Sequence, residues 1–129
     1  RYVLQYSGLG DLIGNAVASA NLPIVLVAFI VAALVRICVG SATVAMTMAA
    51  GIIAAMPGIS ELPPLYLACV VAAVAGGSTV CSHFNDSGFW LVRSLVGVDE
   101  KTNLKTWTIM ETLVGFSGFV VAFIISLFV

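Results

Sequence analysis

Apolar residues run almost unbroken from Leu22 to Val39, with Arg36 as the one charge among them. Gly40-Ser41-Ala42-Thr43 interrupts that run, and a second continues from Val44 to Met56. Pro57-Gly58, Glu61 and Pro63-Pro64 then mark a short polar connection. A third stretch reaches from Leu65 to about Val96, and Ser78, Thr79, Ser82, His83, Asn85, Asp86 and Ser87 cut its middle. Asp99, Glu100, Lys101 and Lys105 fill a segment predicted as a loop over 97–106, before a last apolar run from Trp107 to Val129 that carries only Glu111. Residues 1–21 hold Gly8, Gly10, Gly14, Asp11 and Asn15, and read as the end of a preceding element and a connection.

Length decides what these runs can be. A helix rises 1.5 Å per residue, so crossing a ~30 Å hydrocarbon core takes ~20 residues. The last run, of 23 residues, spans alone, whereas the first has 18 and the second 13. Those two predict a re-entrant helical hairpin over 22–57 with its tip inside the membrane. The third stretch, 64–96, is too long for one crossing. Gly76-Gly77 and the polar cluster predict two half-helices joined by unwound chain, which is tolerated at depth only where protein or a wet cavity surrounds it.

Composition removes other classes. Of 129 residues, 61% are apolar and 9% charged, against about 25% charged in soluble domains. Mean hydropathy is +1.17, which excludes a disordered tail. A formal net charge of −1 offers no basic field for nucleic acid. The expected solvent is lipid, and the expected class is all-α transmembrane. The start at Arg1 and the small number of crossings lead us to expect a piece of a longer protein. Cys38, Cys69 and Cys81 lack C-x-x-C spacing and read as free thiols. The glycines from Gly8 to Gly14 do not make a dinucleotide loop, because the third comes one residue late and no strand precedes it.

The helix faces predict bundle packing. Glu111, Gly115, Gly118, Ala122 and Ser126 form one small-residue stripe, with Leu113, Phe116, Val120, Phe123 and Leu127 opposite; Ala68, Ala72 and Gly76 repeat the pattern. Arg93, Lys101 and Lys105 against Glu61 put 93–106 in the cytoplasm and 57–64 outside.

The chemistry concentrates at two breaks. Polar groups at membrane depth are costly, ~2.5–3.5 kcal/mol for one central charge, and persist where they line a solute or ion path. Asn85-Asp86-Ser87 is a helix-start signature, so the following half-helix would aim its positive end at the break. Gly76-Gly77 would end the half-helix before it. At the other break Arg36 either holds a substrate carboxylate or pairs with Asp86 or Glu111. Gly40 to Ala45 (GSATVA) echoes Gly76 to Cys81 (GGSTVC) at three of six positions. Ser41, Thr43, Ser82, His83, Asn85 and Ser87 supply neutral donors. Asp86, His83 or Glu111 could carry a proton, although for Glu111, four residues into the last run, an interfacial or structurally paired place is the favoured reading. Cys81, His83 and Asp86 lack a fourth ligand at metal-site spacing, so no metal is expected.

Three ordered motifs resemble the C-terminal part of the gluconate permease family: Arg36-x-x-x-Gly40-Ser41-Ala42-Thr43-Val44-Ala45, Ser82-His83-x-Asn85-Asp86-Ser87-Gly88-Phe89-Trp90, and Leu104-Lys105-Thr106-Trp107-Thr108-x-Met110-Glu111-Thr112. The resemblance implies a multi-pass bacterial inner-membrane symporter that takes up gluconate or a related sugar acid with protons. It also implies an ion-transporter-superfamily architecture of two inverted repeats with re-entrant hairpins and discontinuous helices. This chain would be much of the second repeat, completed by a missing N-terminal half, with homo-oligomerisation left open. Relatives carrying idonate or D-serine keep the substrate open.

The expected site faces the tip around Ser41 and Thr43 with the break at Ser82, His83, Asn85, Asp86 and Ser87. Arg36 stands beside it, and no cofactor is needed beyond the coupling proton. Rival readings are an intramembrane hydrolase using Ser87 or Ser82 with His83, and a purely structural membrane subunit. The hydrolase is disfavoured because neighbouring helical residues point ~100° apart and no G-x-S-x-G turn appears.

Overall fold

A computed structural model describes residues 22–129, and the connection expected over 1–21 lies outside the described residues. Five helices follow one another: α1 (Ile24–Val39), α2 (Ala42–Ile53), α3 (Pro64–Thr79), α4 (Ser87–Val96) and α5 (Glu100–Ser126), with a 3-10 turn at Ile59–Glu61. Among the described residues there is no strand.

The boundaries have local causes. Gly40 closes α1 in the left-handed conformation at φ 80°, its N–H donating to the Arg36 carbonyl at 2.8 Å. Ser41 caps α2 by accepting from the Val44 N–H at 3.4 Å. The break between α1 and α2 is therefore two residues long, and Thr43 lies within α2. Pro64 opens α3 at a position whose N–H would have no helical partner. Asp86 caps α4, and Gly97 ends it at φ 75°.

Two expectations are corrected. Gly76-Gly77 does not end α3, which continues to Thr79. Both glycines are buried where helices cross. A Cβ on Gly76 would lie 2.6 Å from the Gly115 carbonyl oxygen, and one on Gly77 would strike the Phe29 carbonyl. The pair serves close packing rather than chain reversal. The loop expected over 97–106 shrinks to 97–99, because Asp99 accepts from the Thr102 N–H at 3.0 Å and starts α5 at Glu100. The charges that read as a loop are the cap and opening turns of a helix.

Helices α1, α3 and α5 form the core, and α2 lies against α1 and α3. Val25, Ala28, Ala32, Ala73, Val74, Phe119 and Ala122 are buried between them. Phe29 stacks on Phe119 with ring centroids 4.2 Å apart. Gly115, Ala122 and Ser126 of the expected stripe are buried, but Gly118 is exposed and Phe119 takes an inner place. Leu34, Val71, Leu95, Leu113 and Phe128 are exposed. This much outward apolar surface is what lipid or further protein covers.

Among the described residues α4 packs mainly on the first part of α5. There Arg93 pairs with Glu100 at 2.7 Å and lies over the Trp90 ring, 5.6 Å from its centroid. Asn103 is buried and its Nδ2 donates to the Phe89 carbonyl at 2.8 Å. Between Leu104 and Thr108 the α5 backbone winds as a π turn.

Candidate functional site

The two helix breaks meet. Gly40, at the end of α1, lies so close to the backbone of Asn85 that a Cβ would overlap it. The Asn85 Nδ2 donates to the Ile37 carbonyl at 2.8 Å, satisfying an acceptor that the helix end leaves free. Both contacts need the chain unwound on the α3–α4 side, where residues 80–86 carry no helix.

At the centre is a buried ion pair. Arg36 Nη2 lies 2.5 Å from Asp86 Oδ2, with side chains 3% and 10% exposed. Arg36 Nη1 donates to the Gly40 carbonyl, so one guanidinium holds the α1 turn and the α4 cap together. Asp86 has a full set of partners. Oδ1 accepts from the Gly88 N–H at 2.9 Å, and Oδ2 also accepts from the Ser82 hydroxyl. Ser82 in turn accepts from Trp107 Nε1 at 2.9 Å, and its carbonyl accepts from the Thr108 hydroxyl. A line of hydrogen bonds thus runs from α5 through the break to α1.

The expected residues divide into three groups. Arg36, Ser82, Asn85 and Asp86 are brought together, and of the two roles open to Arg36 the structure adopts the pairing with Asp86. His83 is half-buried beside them, with Nδ1 2.8 Å from the Cys81 carbonyl. Ser41 caps α2, and Thr43 and Ser87 are exposed. Glu111 is half-buried on α5 and makes no ion pair among the described residues. Ser82 and His83 do not form a nucleophile and base, because the hydroxyl is committed to Asp86 and His83 Nδ1 faces a carbonyl.

Sequence reasoning gave no role to Trp107, Thr108, Thr112 or Asn103. The available signals were an indole N–H, which needs a partner once buried, and the four-residue spacing of Thr108 and Thr112. The Thr112 hydroxyl accepts from the Cys81 N–H at 3.1 Å and donates to the Thr108 carbonyl at 2.6 Å.

Arg36, Ser82 and Asp86 are buried. A cavity of about 490 Å³ between α2 and α3 is lined by Met46, Ile53, Leu67, Val70 and Val74, and another of about 480 Å³ by Val92, Val96, Trp107 and Met110. Both are apolar and neither touches Arg36, Ser82 or Asp86.

The profile of the GntP family permeases matches residues 1–128. The chain belongs to this family. It is 44% identical over 126 residues to the low-affinity gluconate transporter of Escherichia coli K12, covering 96% of this chain and 28% of that protein. It is 40% identical over 127 residues to the gluconate permease of Pseudomonas aeruginosa, covering 98% of this chain and 28% of the relative. A Gnt-II system L-idonate transporter of E. coli is 38% identical over 118 residues, covering 92% and 26%. This family segment therefore spans about 28% of the length of the first relatives it matches. No solved structure matches it. The family and these relatives bear permease and transporter names, not enzyme names, which removes the hydrolase reading.

Proposed function

We propose that this segment forms one side of the solute path of a proton-coupled permease for gluconate or a closely related sugar acid. The observation that carries the reading is the meeting of two helix breaks around the buried Arg36–Asp86 pair. A soluble-style core gains little from such a pair, since desolvation offsets much of the attraction. A transporter gains a switch. Protonation of Asp86 would remove its charge and free the Arg36 guanidinium for a bidentate contact with the substrate carboxylate. Proton and anion would then load together, which is the stoichiometric logic of symport.

Lengths support the membrane placement. α5 is long and apolar enough to cross a bilayer, at 27 residues. α1 and α3, at 16 residues each, reach only about 24 Å, short of the ~30 Å core. α1–α2 would be the re-entrant hairpin and α3–α4 the discontinuous helix of one inverted repeat. Arg93, Lys101 and Lys105 near the α4–α5 junction favour a cytoplasmic position for that end. Ser41, Thr43, His83, Asn85 and Ser87 would meet the substrate hydroxyls once the pair opens, with Glu111 or His83 as further stations for the proton. The residence would be the bacterial inner membrane.

The test is uptake of labelled gluconate by the full-length protein in membrane vesicles, with and without an imposed inward proton gradient. Accumulation that needs the gradient supports symport. Uptake unaffected by the gradient removes the proton role, and absence of gluconate uptake with uptake of L-idonate reassigns the substrate.

A further inference from the structure

The π turn of α5 is placed where two sets of contacts would otherwise fall on different faces. Asn103, just before it, holds α4 through the Phe89 carbonyl at 2.8 Å. Thr108, at its end, and Thr112, one turn later, hold the break through the Ser82 carbonyl and the Cys81 N–H. In a regular α-helix, five steps of ~100° would leave residues 103 and 108 about 140° apart. A π turn bonds i to i+5 and brings them onto one face. The same turn aims Trp107 at the Ser82 hydroxyl, 2.9 Å away. On the other side of the contact, Cys81 is held at φ 57°, a left-handed conformation that a non-glycine residue rarely adopts without outside support.

We infer that Trp107 and Thr108 are positioning residues, and that the π turn is the register device that lets α5 clamp the helix break at Cys81-Ser82. The clamp keeps the Ser82 hydroxyl aimed at Asp86, and so keeps the Arg36–Asp86 pair assembled. Return of the turn to α register would swing Asn103 away from α4 or Thr108 away from Ser82, loosening the break. Single-turn bulges of this kind recur inside α-helices at functional sites. The use of the clamp in transport rests on the reading above; its existence does not.

The experiment uses the full-length protein in membranes with cysteines other than Cys81 replaced by alanine. The rate of maleimide labelling of Cys81 is compared among the parent, Thr108→Val, Thr108→Ser, Trp107→Phe and Asn103→Ala. Loss of one clamp hydrogen bond is expected to raise labelling about fivefold in Thr108→Val and Trp107→Phe. Thr108→Ser keeps the hydroxyl and should label at the parental rate. Asn103→Ala touches neither Cys81 nor Ser82, and faster labelling there is the signature of register transmission. Parental rates in both Thr108→Val and Trp107→Phe would overturn the clamp, and a parental rate in Asn103→Ala would overturn the register device. Gluconate and L-idonate uptake measured in parallel separates the two readings: variants that label as expected in a parent that takes up neither solute refute the transport assignment alone.

Discussion

Arg36 and Asp86 stand fifty residues apart in the chain and 2.5 Å apart in the fold. The pair joins the last turn of α1 to the first of α4, and each partner is buried. Among the described residues Arg36 Nε has no partner, and the guanidinium is held there by Asp86 and the Gly40 carbonyl.

Asp86→Asn should therefore destabilise strongly while leaving the α4 cap intact, since asparagine caps a helix as well as aspartate does. An uncompensated buried arginine costs about 3–5 kcal/mol. Thermal unfolding of the full-length protein in detergent would register the loss. Arg36→Met combined with Asp86→Asn should recover part of it, because no buried charge remains. Gradient-driven gluconate accumulation should be absent in both, and its retention in Asp86→Asn would take the coupling role away from this carboxylate.

Gly40 and Gly58 share nearly the same backbone, at φ 80° and 77°, but not the same surroundings. Gly58→Ala should cost only the left-handed penalty of about 1–2 kcal/mol. Gly40→Ala adds a collision with the Asn85 backbone and should cost clearly more. Equal unfolding midpoints for the two variants would mean that the tip and the break are not in contact in the whole protein.

The α3–α5 crossing makes a parallel comparison. A Cβ on Gly115 meets the Gly76 carbonyl and the Val80 side chain, whereas one on Gly118 meets nothing within 4 Å among the described residues. Gly115→Ala is expected to lower stability by about 1–3 kcal/mol through overpacking. Gly118→Ala should raise it by up to about 1 kcal/mol through helix propensity. Chemical denaturation of the two variants side by side would decide it.

Asp99 provides a pH dependence outside the membrane segments. Its hydrogen bond with Thr102 holds the carboxyl below the ordinary aspartate value of 3.8. A depressed folded-state value means that the stabilising effect is complete above 3.8 and fades as pH falls through the lower, folded value. At neutral pH, Asp99→Ala should speed amide exchange in Glu100–Asn103 relative to the parent, and the difference should narrow in strong acid.

The helical segments and the helix start at Asp86 were legible because apolar run length and cap chemistry are local properties. Local reasoning failed at Gly76-Gly77 and at 97–106. Glycine pairs end helices when they face solvent, but these face the Gly115 and Phe29 carbonyls, which no local window contains. The charged stretch after Gly97 reads as loop by its polarity, yet Asp99 accepts from the Thr102 N–H three residues on and starts a helix.

The membrane character, the breaks at Gly40 and before Asp86, and the family were all present in the order of residues. They rest on hydropathy, chain reversal and motif spacing, each readable without knowing what lies opposite. Which acid Arg36 pairs with, and that Ser82 is reached from Trp107 and Thr108, were decided only by the fold. Those contacts link positions 25 or more residues apart, and they follow from how closely α1, α3 and α5 approach where glycine replaces bulk.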